Sequence, residues 1–147
     1  MERLNKIILA DDDADDRDMF IDLLAQPDVD VRAVANGNEL LSYLEGQRAD
    51  SLPDCIFLDL NMPVMGGKEC LSRIKADDKL THIPVIIYST SSNKKDIDDT
   101  FEMGADLYVV KDSSYVSLKK TLESIIRIDW EIYRTTKSFK NFVFKPA

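Results

Sequence analysis

The segment Cys55-Ile56-Phe57-Leu58-Asp59-Leu60-Asn61-Met62-Pro63 gives the clearest indication of the fold. Its first four residues are apolar, which is the pattern of a short strand buried on both faces of a sheet. Pro63 and the pair Gly66-Gly67 follow as turn residues, so the strand ends close to Asp59. Ligands of open parallel sheets bind at the carboxyl ends of the strands, which makes Asp59 a candidate for chemistry. An isolated aspartate is more often a plain turn residue, so the functional interpretation of Asp59 depends on the rest of the chain.

Four further apolar runs have the character of strands, and each is followed by apolar residues at helical spacing. They are Lys6-Ile7-Ile8-Leu9-Ala10, residues 29–33, Pro84-Val85-Ile86-Ile87-Tyr88 and Leu107-Tyr108-Val109-Val110. In residues 29–33 apolar and charged side chains alternate, which is typical of an edge strand. The strict alternation of five strands with five helices predicts a doubly wound α/β fold in three layers, with a parallel sheet between helices.

The C-terminal part of the chain continues beyond this pattern. We expect one long last helix that begins near Ser113-Ser114 and carries its apolar stripe as far as Ile132 and Tyr133. The main domain is accordingly predicted over residues 1–128, with a helix extension and a Phe-rich tail over residues 129–147. This tail either packs back on the domain or contacts a partner. We favour packing back, because exposed apolar patches are uncommon on monomers.

The amino-acid composition limits the classes of function that this chain can have. The chain has 147 residues, of which 44% are hydrophobic and 31% charged, which suits one globular domain. Its net charge of -8 argues against a nucleic-acid surface, because no basic stripe could neutralise phosphates. We expect no membrane contact and a cytoplasmic location, since the sequence has neither a signal peptide pattern nor a run long enough to span a bilayer. Cys55 and Cys70 lack metal or redox spacing and are interpreted as buried apolar residues.

The polar residues that follow the predicted strands form one constellation. Right-handed crossovers place the carboxyl ends of all strands at the same edge of the sheet. The residues that this brings together are Asp11, Asp12, Asp59, Ser89, Thr90 and Lys111. Neighbouring carboxylates repel one another, and a hard divalent cation such as Mg2+ relieves that repulsion. Asp13, Asp15, Asp16 and Asp18, by contrast, are interpreted as the solvated face of a helix.

Each member of this constellation has a use in phosphoryl transfer. Asp59 could attack a phosphoryl group and hold it as an acyl phosphate. Lys111 supplies positive charge for the phosphoryl oxygens, and Ser89 or Thr90 supplies a hydroxyl donor. The register counted from Pro84 favours Ser89 over Thr90 without excluding the latter. Each residue alone has an ordinary structural explanation, so the joint placement at several strand ends carries the interpretation.

At these residues the chain resembles the receiver domain of two-component response regulators, of the stand-alone CheY-like type. The resemblance covers about residues 5–126 and includes Asp11-Asp12, Leu58 to Pro63, the strand that ends in Ser89, and Tyr108-Val109-Val110-Lys111. It implies a flavodoxin-like fold with strand order 2-1-3-4-5, in agreement with an edge position for the second strand.

The resemblance also implies roles for individual residues. Asp59 would be the phosphoacceptor, with Asp12 and Asp59 as direct Mg2+ ligands. Asp11 would act largely through water, and Asn61 would offer its backbone carbonyl to the metal.

A switch and partners follow from the same resemblance. Ser89 would move toward the phosphoryl group and Tyr108 would rotate inward, which remodels the surface of the fourth helix and fifth strand. The phosphoryl donor would be a histidine kinase or a histidine phosphotransfer protein. The output would be a downstream protein target, or a homodimer through the fourth helix, fifth strand and fifth helix.

One departure from the family pattern bears on the site. Family members usually carry proline after the lysine, often with a cis peptide bond, whereas Asp112 follows Lys111 here. A cis bond without proline is costly, so the family pattern leaves both the loop geometry and the reach of Lys111 open. The additional acid could also shorten the lifetime of the phosphoryl group.

Two other functions compete with the stand-alone receiver. Mg2+-dependent aspartyl-phosphate phosphatases place a second acid two residues after the nucleophile, and here that position holds Asn61. A degenerate receiver that only binds partners is the other alternative. It gives no reason for the chain to keep Asp11, Asp12, Asp59, Ser89 and Lys111 together, so we interpret the protein as a phosphoacceptor rather than an enzyme.

Overall fold

The architecture is a five-stranded parallel sheet between two layers of helices. A computed structural model describes residues 4–145 of the chain. The strands are β1 Lys6–Ala10, β2 Asp30–Val34, β3 Cys55–Leu58, β4 Val85–Ser89 and β5 Leu107–Val110. They pair in the order β2-β1-β3-β4-β5, all parallel. The predicted flavodoxin-like topology is therefore confirmed, including the position of β2 at an edge.

Six α-helices accompany the strands in the described part of the chain. They are α1 Ala14–Leu24, α2 Gly37–Glu45, α3 Gly67–Ala76, α4 Lys94–Glu102, α5 Tyr115–Ile126 and α6 Trp130–Thr136, with short 3-10 turns at Ala49–Ser51 and Phe139–Asn141. Most helices start at a polar side chain that accepts a hydrogen bond from the first turn, as Asn36 does for α2.

The apolar residues form one core on each face of the sheet. Side chains of β1, β3, α1 and α5 pack on one face, where Phe20 and Phe57 meet edge to face with ring centroids 5.0 Å apart. The opposite core lies under α2 and α3 and includes Leu40 and Leu71. Cys55 and Cys70 are both free and buried, as their interpretation from sequence required. Burial on both faces explains why β1, β3 and β4 consist of continuous apolar runs.

The prediction of one long last helix, and with it the count of five helices, was wrong. Helix α5 ends at Ile126, and α6 starts anew at Trp130. The backbone N–H of Ile128 bonds to the carbonyl of Ile125, which tightens the last turn of α5. Asp129 then caps α6 by accepting from the N–H of Ile132 at 3.2 Å. The apolar stripe runs across the break because Trp130 and Tyr133 of α6 pack on the same core as α5. The expected place of Ile132 in this stripe was wrong, since Ile132 is 62% exposed.

The tail packs back on the domain along the outer edge of β5. Tyr108 donates its backbone N–H to the Phe142 carbonyl at 2.9 Å, and its own carbonyl accepts from the N–H of Phe144 at 2.8 Å. Val143 thereby forms a parallel bridge with Tyr108. The Phe142 side chain is fully buried against the rings of Phe101 and Tyr108, whereas Phe139 is 50% exposed. The favoured alternative for the tail is thus confirmed. The domain boundary at residue 128 stays a prediction.

A buried acid fastens the segment that leads into the tail. Asp106 accepts from the backbone N–H of Val85 at 2.9 Å and pairs with Lys75 at 3.3 Å. Two basic residues of the C-terminal segment reach the same carboxylate, Arg134 at 3.4 Å and Lys137 at 3.9 Å. These contacts lie at the amino end of β5, at the end opposite to Lys111.

Candidate functional site

Backbone hydrogen bonds align the polar ends of the strands. The N–H of Asp59 bonds to the carbonyl of Ala10 at 3.0 Å, so the residues after β1 and β3 stay side by side. Between the neighbouring strands β4 and β5, the N–H of Lys111 bonds to the Ser89 carbonyl at 2.7 Å. The sheet therefore brings together the ends of β1, β3, β4 and β5, as the crossover rule predicted.

Three carboxylates gather at this edge. Each of Asp11, Asp12 and Asp59 offers one oxygen such that the three atoms lie within 4.8 Å of one another. Asp11 is fully buried and Asp59 is 6% exposed, whereas Asp12 faces solvent. A group of carboxylate oxygens with one open side fits a small hard cation that keeps several waters, which is the coordination that Mg2+ prefers. The donor set therefore fits the predicted metal.

The carboxyl group of Asp59 is difficult to ionise. Burial raises the pKa of Asp59 to about 6, while the charge of Lys111 acts to lower it and the charge of Asp11 acts to raise it. Backbone N–H groups of Asn61 and Leu60 also favour the ionised form. A cation between the carboxylates would add a further strong preference for the charged state.

This raised pKa predicts pH-dependent metal binding. If Asp59 binds Mg2+ as predicted, a proton competes with the metal for its carboxylate, and the metal affinity is full above the pKa of Asp59 and declines below it. We expect the apparent Kd for Mg2+ to rise about tenfold for each pH unit below about 6, as measured by titration calorimetry between pH 5 and pH 7.5. The Asp59→Asn variant serves as control. An equal pH dependence in that variant would contradict the assignment to Asp59.

Lys111 is the positive group of the pocket. Its Nζ lies 2.6 Å from Asp11 Oδ2, 3.0 Å from Asp16 Oδ2 and 3.8 Å from Asp59 Oδ2. Burial acts to lower the pKa of Lys111, but its hydrogen bond to Asp11 and the charges around it outweigh burial and raise the pKa. The lysine therefore stays charged. It also lies 5.0 Å from the centre of the Tyr88 ring, which favours a cation.

The loop after β3 has a tight backbone turn. The N–H of Asn61 points at Asp59 Oδ1 at 3.4 Å, and the N–H of Gly67 bonds to the carbonyl of Leu60 at 2.9 Å. Asn61 is exposed beside the acidic cluster. The use of its carbonyl as a metal ligand stays a prediction.

Ser89 and Thr90 differ sharply in environment. Ser89 is the last residue of β4 and is fully buried, with its Oγ accepting from the N–H of Ser91 at 3.1 Å. Thr90 is exposed. Thr90 lines a cavity together with Lys111 and Asp16, whereas Ser89 does not. The preference for Ser89 as the hydroxyl that serves the pocket stays a prediction.

Tyr108 lies inward in this structure. Its side chain is fully buried, and its hydroxyl donates to the carbonyl of Ser91 at 2.8 Å. Ser91 thus contacts both predicted switch residues, and its Oγ donates to Asp96 at 2.7 Å. Sequence analysis assigned no role to Ser91, because a serine in a hydroxyl-rich loop is first of all a possible helix cap.

Two further charged residues were missed. Asp16 was counted with its neighbours as part of a solvated face. Asp15 is exposed, as expected, whereas the carboxylate of Asp16 is 40% exposed and binds Lys111. Lys68 in the first turn of α3 binds Asp96 and Asp99 of α4, each at 2.9 Å. The sequence did contain a signal that Asp16 could reach the pocket, because this residue lies in the first helical turn after the acid pair Asp11-Asp12. Lys68 had none, because its partners are 28 and 31 residues away.

Lys111 reaches the pocket although Asp112 replaces the usual proline. The described residues contain no cis peptide bond, so the peptide between these two residues is trans. Asp112 is exposed and accepts from the N–H of Ser114 at 2.9 Å, and this bond lowers its pKa. Its carboxylate thus caps the turn before α5. The lifetime effect suggested for this acid stays a hypothesis.

Fold and site together define a flavodoxin-like α/β domain with an acidic pocket and one lysine at the carboxyl ends of its strands. Comparison with known families gives the class. The model of the response regulator receiver domain matches residues 7–123. The chain therefore belongs to the response regulator receiver domain family, whose members act in two-component signalling with histidine kinases or phosphotransfer proteins.

Individual relatives agree with this assignment. The probable methanogenesis regulatory protein FilR2 of Methanothrix harundinacea is 35% identical over 61% of this chain, which spans 59% of FilR2. The phosphorylated cyanobacterial phytochrome response regulator RcpA has a similar structure, with a TM-score of 0.75 and 31% identity over 91% of this chain and 97% of that chain. The Mn(2+)-bound form of Rcp1, a Synechocystis response regulator, gives a TM-score of 0.69 and 29% identity over 82% of this chain and 91% of that chain.

Among residues 4–145, no helix combines the length and the apolar character needed to cross a bilayer.

Proposed function

We propose that this protein is a stand-alone receiver that accepts a phosphoryl group on Asp59 from a histidine kinase or a histidine phosphotransfer protein in the cytoplasm. One observation carries the proposal. Asp59 lies within 4.8 Å of two other carboxylates, and the ammonium of Lys111 is 3.8 Å from its Oδ2. Phosphoryl transfer to an aspartate requires an acceptor carboxylate, a cluster of carboxylates that can bind a cation, and a fixed positive charge.

The reaction is a displacement at phosphorus. A carboxylate oxygen of Asp59 attacks the phosphorus of a phosphohistidine, and the new O–P bond forms as the P–N bond breaks. The electron pair of the P–N bond stays on the imidazole nitrogen, which takes up a proton. Lys111, whose ammonium lies 3.8 Å from Asp59 Oδ2, stabilises the negative charge on the phosphoryl oxygens. Ser89 offers its hydroxyl to another phosphoryl oxygen.

The predicted metal completes the site. Asp12 and Asp59 would bind Mg2+ directly, Asp11 largely through water, and Asn61 through its backbone carbonyl. Bound Mg2+ supplies positive charge that offsets the repulsion between Asp59 and an incoming phosphoryl group. Asp12 is exposed, so the carboxylate cluster is open to solvent on the side of Asp12.

The output is proposed to be protein contact. Ser91 accepts from Tyr108 and donates to Ser89, so a movement of Ser89 toward a phosphoryl group changes the surroundings of Tyr108. The partner or dimer surface comprises α4, β5 and α5. Because residues 142–144 lie on the edge of β5, the tail forms part of that surface.

Incubation with acetyl phosphate tests the proposal. With Mg2+ present, the intact mass measured under acidic conditions should increase by one phosphoryl group. The gain should vanish in the Asp59→Asn variant and in the presence of a chelator. A persistent gain in Asp59→Asn, or no gain from either acetyl phosphate or phosphoramidate, would contradict the proposal. The purified variants are compared by thermal unfolding beforehand, so that loss of the fold is not mistaken for loss of the acceptor.

A further inference from the structure

The ammonium of Lys111 is shared unequally among three carboxylates. Its distances to Asp11 and Asp16, 2.6 Å and 3.0 Å, are those of hydrogen bonds, whereas Asp59 lies at 3.8 Å. Lys111 therefore donates to Asp11 and Asp16 in this structure and meets the proposed phosphoacceptor only as a longer ion pair.

The fold holds Asp16 in this position. Asp13 caps α1 by accepting from the N–H of Asp16 at 3.0 Å, which fixes the backbone of the first turn. The next residue, Arg17, donates to the carbonyl of Asp11 at 2.9 Å and ties the same turn to the end of β1. The Asp16 side chain is 40% exposed and lies outside the cluster of three carboxylates. Asp16 therefore contacts the pocket through its ion pair with Lys111.

This contact opposes phosphoryl uptake. An ammonium has three N–H donors, and a donor held by a carboxylate is not free for a phosphoryl oxygen. Asp16 also adds a negative charge next to the position that an anionic phosphoryl donor must enter. Removal of the charge of Asp16 should release one donor of Lys111 and weaken this repulsion at the same time.

We propose that Asp16 is a positioning residue that keeps Lys111 partly away from Asp59 and thereby slows phosphoryl uptake. The inference rests on the proposed function of Asp59, and it adds a residue that sets the rate of that reaction. The alternative is an ordinary surface ion pair, which contributes little to stability or rate. Asp15 allows the two to be separated, because it lies in the same helical turn, carries the same charge and is exposed rather than bound to Lys111.

The test compares rates of phosphoryl uptake in full-length variants. Acetyl phosphate and Mg2+ are supplied, and the phosphorylated fraction is followed by intact mass. We expect Asp16→Asn to take up the phosphoryl group roughly threefold to tenfold faster than the wild type. Asp15→Asn should change the rate by less than about twofold. Asp16→Glu, which keeps the carboxylate, should restore a rate close to that of the wild type.

A double-mutant cycle shows whether Asp16 acts through Lys111. In a Lys111→Ala background the gain from Asp16→Asn should disappear. A rate for Asp16→Asn equal to or below that of the wild type, or the same gain in both backgrounds, would overturn the inference while the function of Asp59 stands. No uptake in the wild type from either acetyl phosphate or phosphoramidate would overturn the proposed function, and the role of Asp16 with it.

Discussion

The Gly67→Ala substitution is expected to destabilise the protein by about 3 kcal/mol or more. Gly67 is the buried first residue of α3. A Cβ at this position would lie 2.3 Å from the carbonyl oxygen of Asp59 and 2.7 Å from the Cα of Leu60. Both are backbone atoms that the sheet and the loop hold in place, so no side-chain rotation can remove the clash. The expected result is a lower midpoint of denaturant unfolding.

The same substitution should impair the site. The clash pushes on the backbone of Asp59, and the acceptor carboxylate must stay aligned with Lys111 and the other acids. We expect phosphoryl uptake from acetyl phosphate to fall at least about tenfold in the fraction that remains folded. Gly66→Ala is the matched control, since its Cβ would lie 3.5 Å from the nearest atom, the Leu60 carbonyl. Equal effects of the two substitutions would show that the close approach at Gly67 is not the cause.

The Phe142→Ala substitution should remove most of the stability of the docked tail. The Phe142 side chain is fully buried, with its ring centroid 5.1 Å from that of Phe101 and 6.1 Å from that of Tyr108. Truncation of a buried phenylalanine typically costs about 3–5 kcal/mol. The tail can detach without unfolding of the sheet, which limits the global effect, so we expect a loss of about 2–4 kcal/mol.

Hydrogen exchange separates local detachment from global unfolding. The N–H groups of Tyr108 and Phe144 take part in the bonds between β5 and the tail, and both should lose protection in Phe142→Ala. Phe139→Ala is the control, because the Phe139 side chain is half exposed and its removal should cost less than about 1 kcal/mol. Unchanged protection of Tyr108 in Phe142→Ala would show that the backbone bonds hold the tail without this ring.

The sheet and most of the site could be predicted because they follow from local patterns. A continuous apolar run such as residues 55–58 has few alternatives once turn residues bound it. The parallel topology then places Asp11, Asp59 and Lys111 at one edge without knowledge of side-chain contacts. The confirmed strand order therefore also explains why residues that are 100 positions apart, Asp11 and Lys111, meet in the structure.

The missed features depend on competition between contacts. Helix α5 ends at Ile126 and α6 begins after its cap Asp129, although the apolar stripe around this break continues. Asp16 is one of several neighbouring aspartates that have the same charge and the same helix propensity. Only the direction of the first turn of α1 decides which of them faces Lys111. Such choices are made by three-dimensional geometry, which a pattern along the chain does not contain.

The two edges of the sheet are protected against pairing with other chains by different means. On β2, the exposed charges of Asp30 and Arg32 discourage a further strand. On β5, residues 142–144 occupy the backbone groups of Tyr108 themselves. A chain cut after residue 128 would keep all five strands but leave this edge open beside apolar surface, which is a template for aggregation. The tail is thus expected to keep the protein in solution as well. Recombinant fragments that stop at the end of α5 should precipitate under conditions in which the 147-residue chain does not.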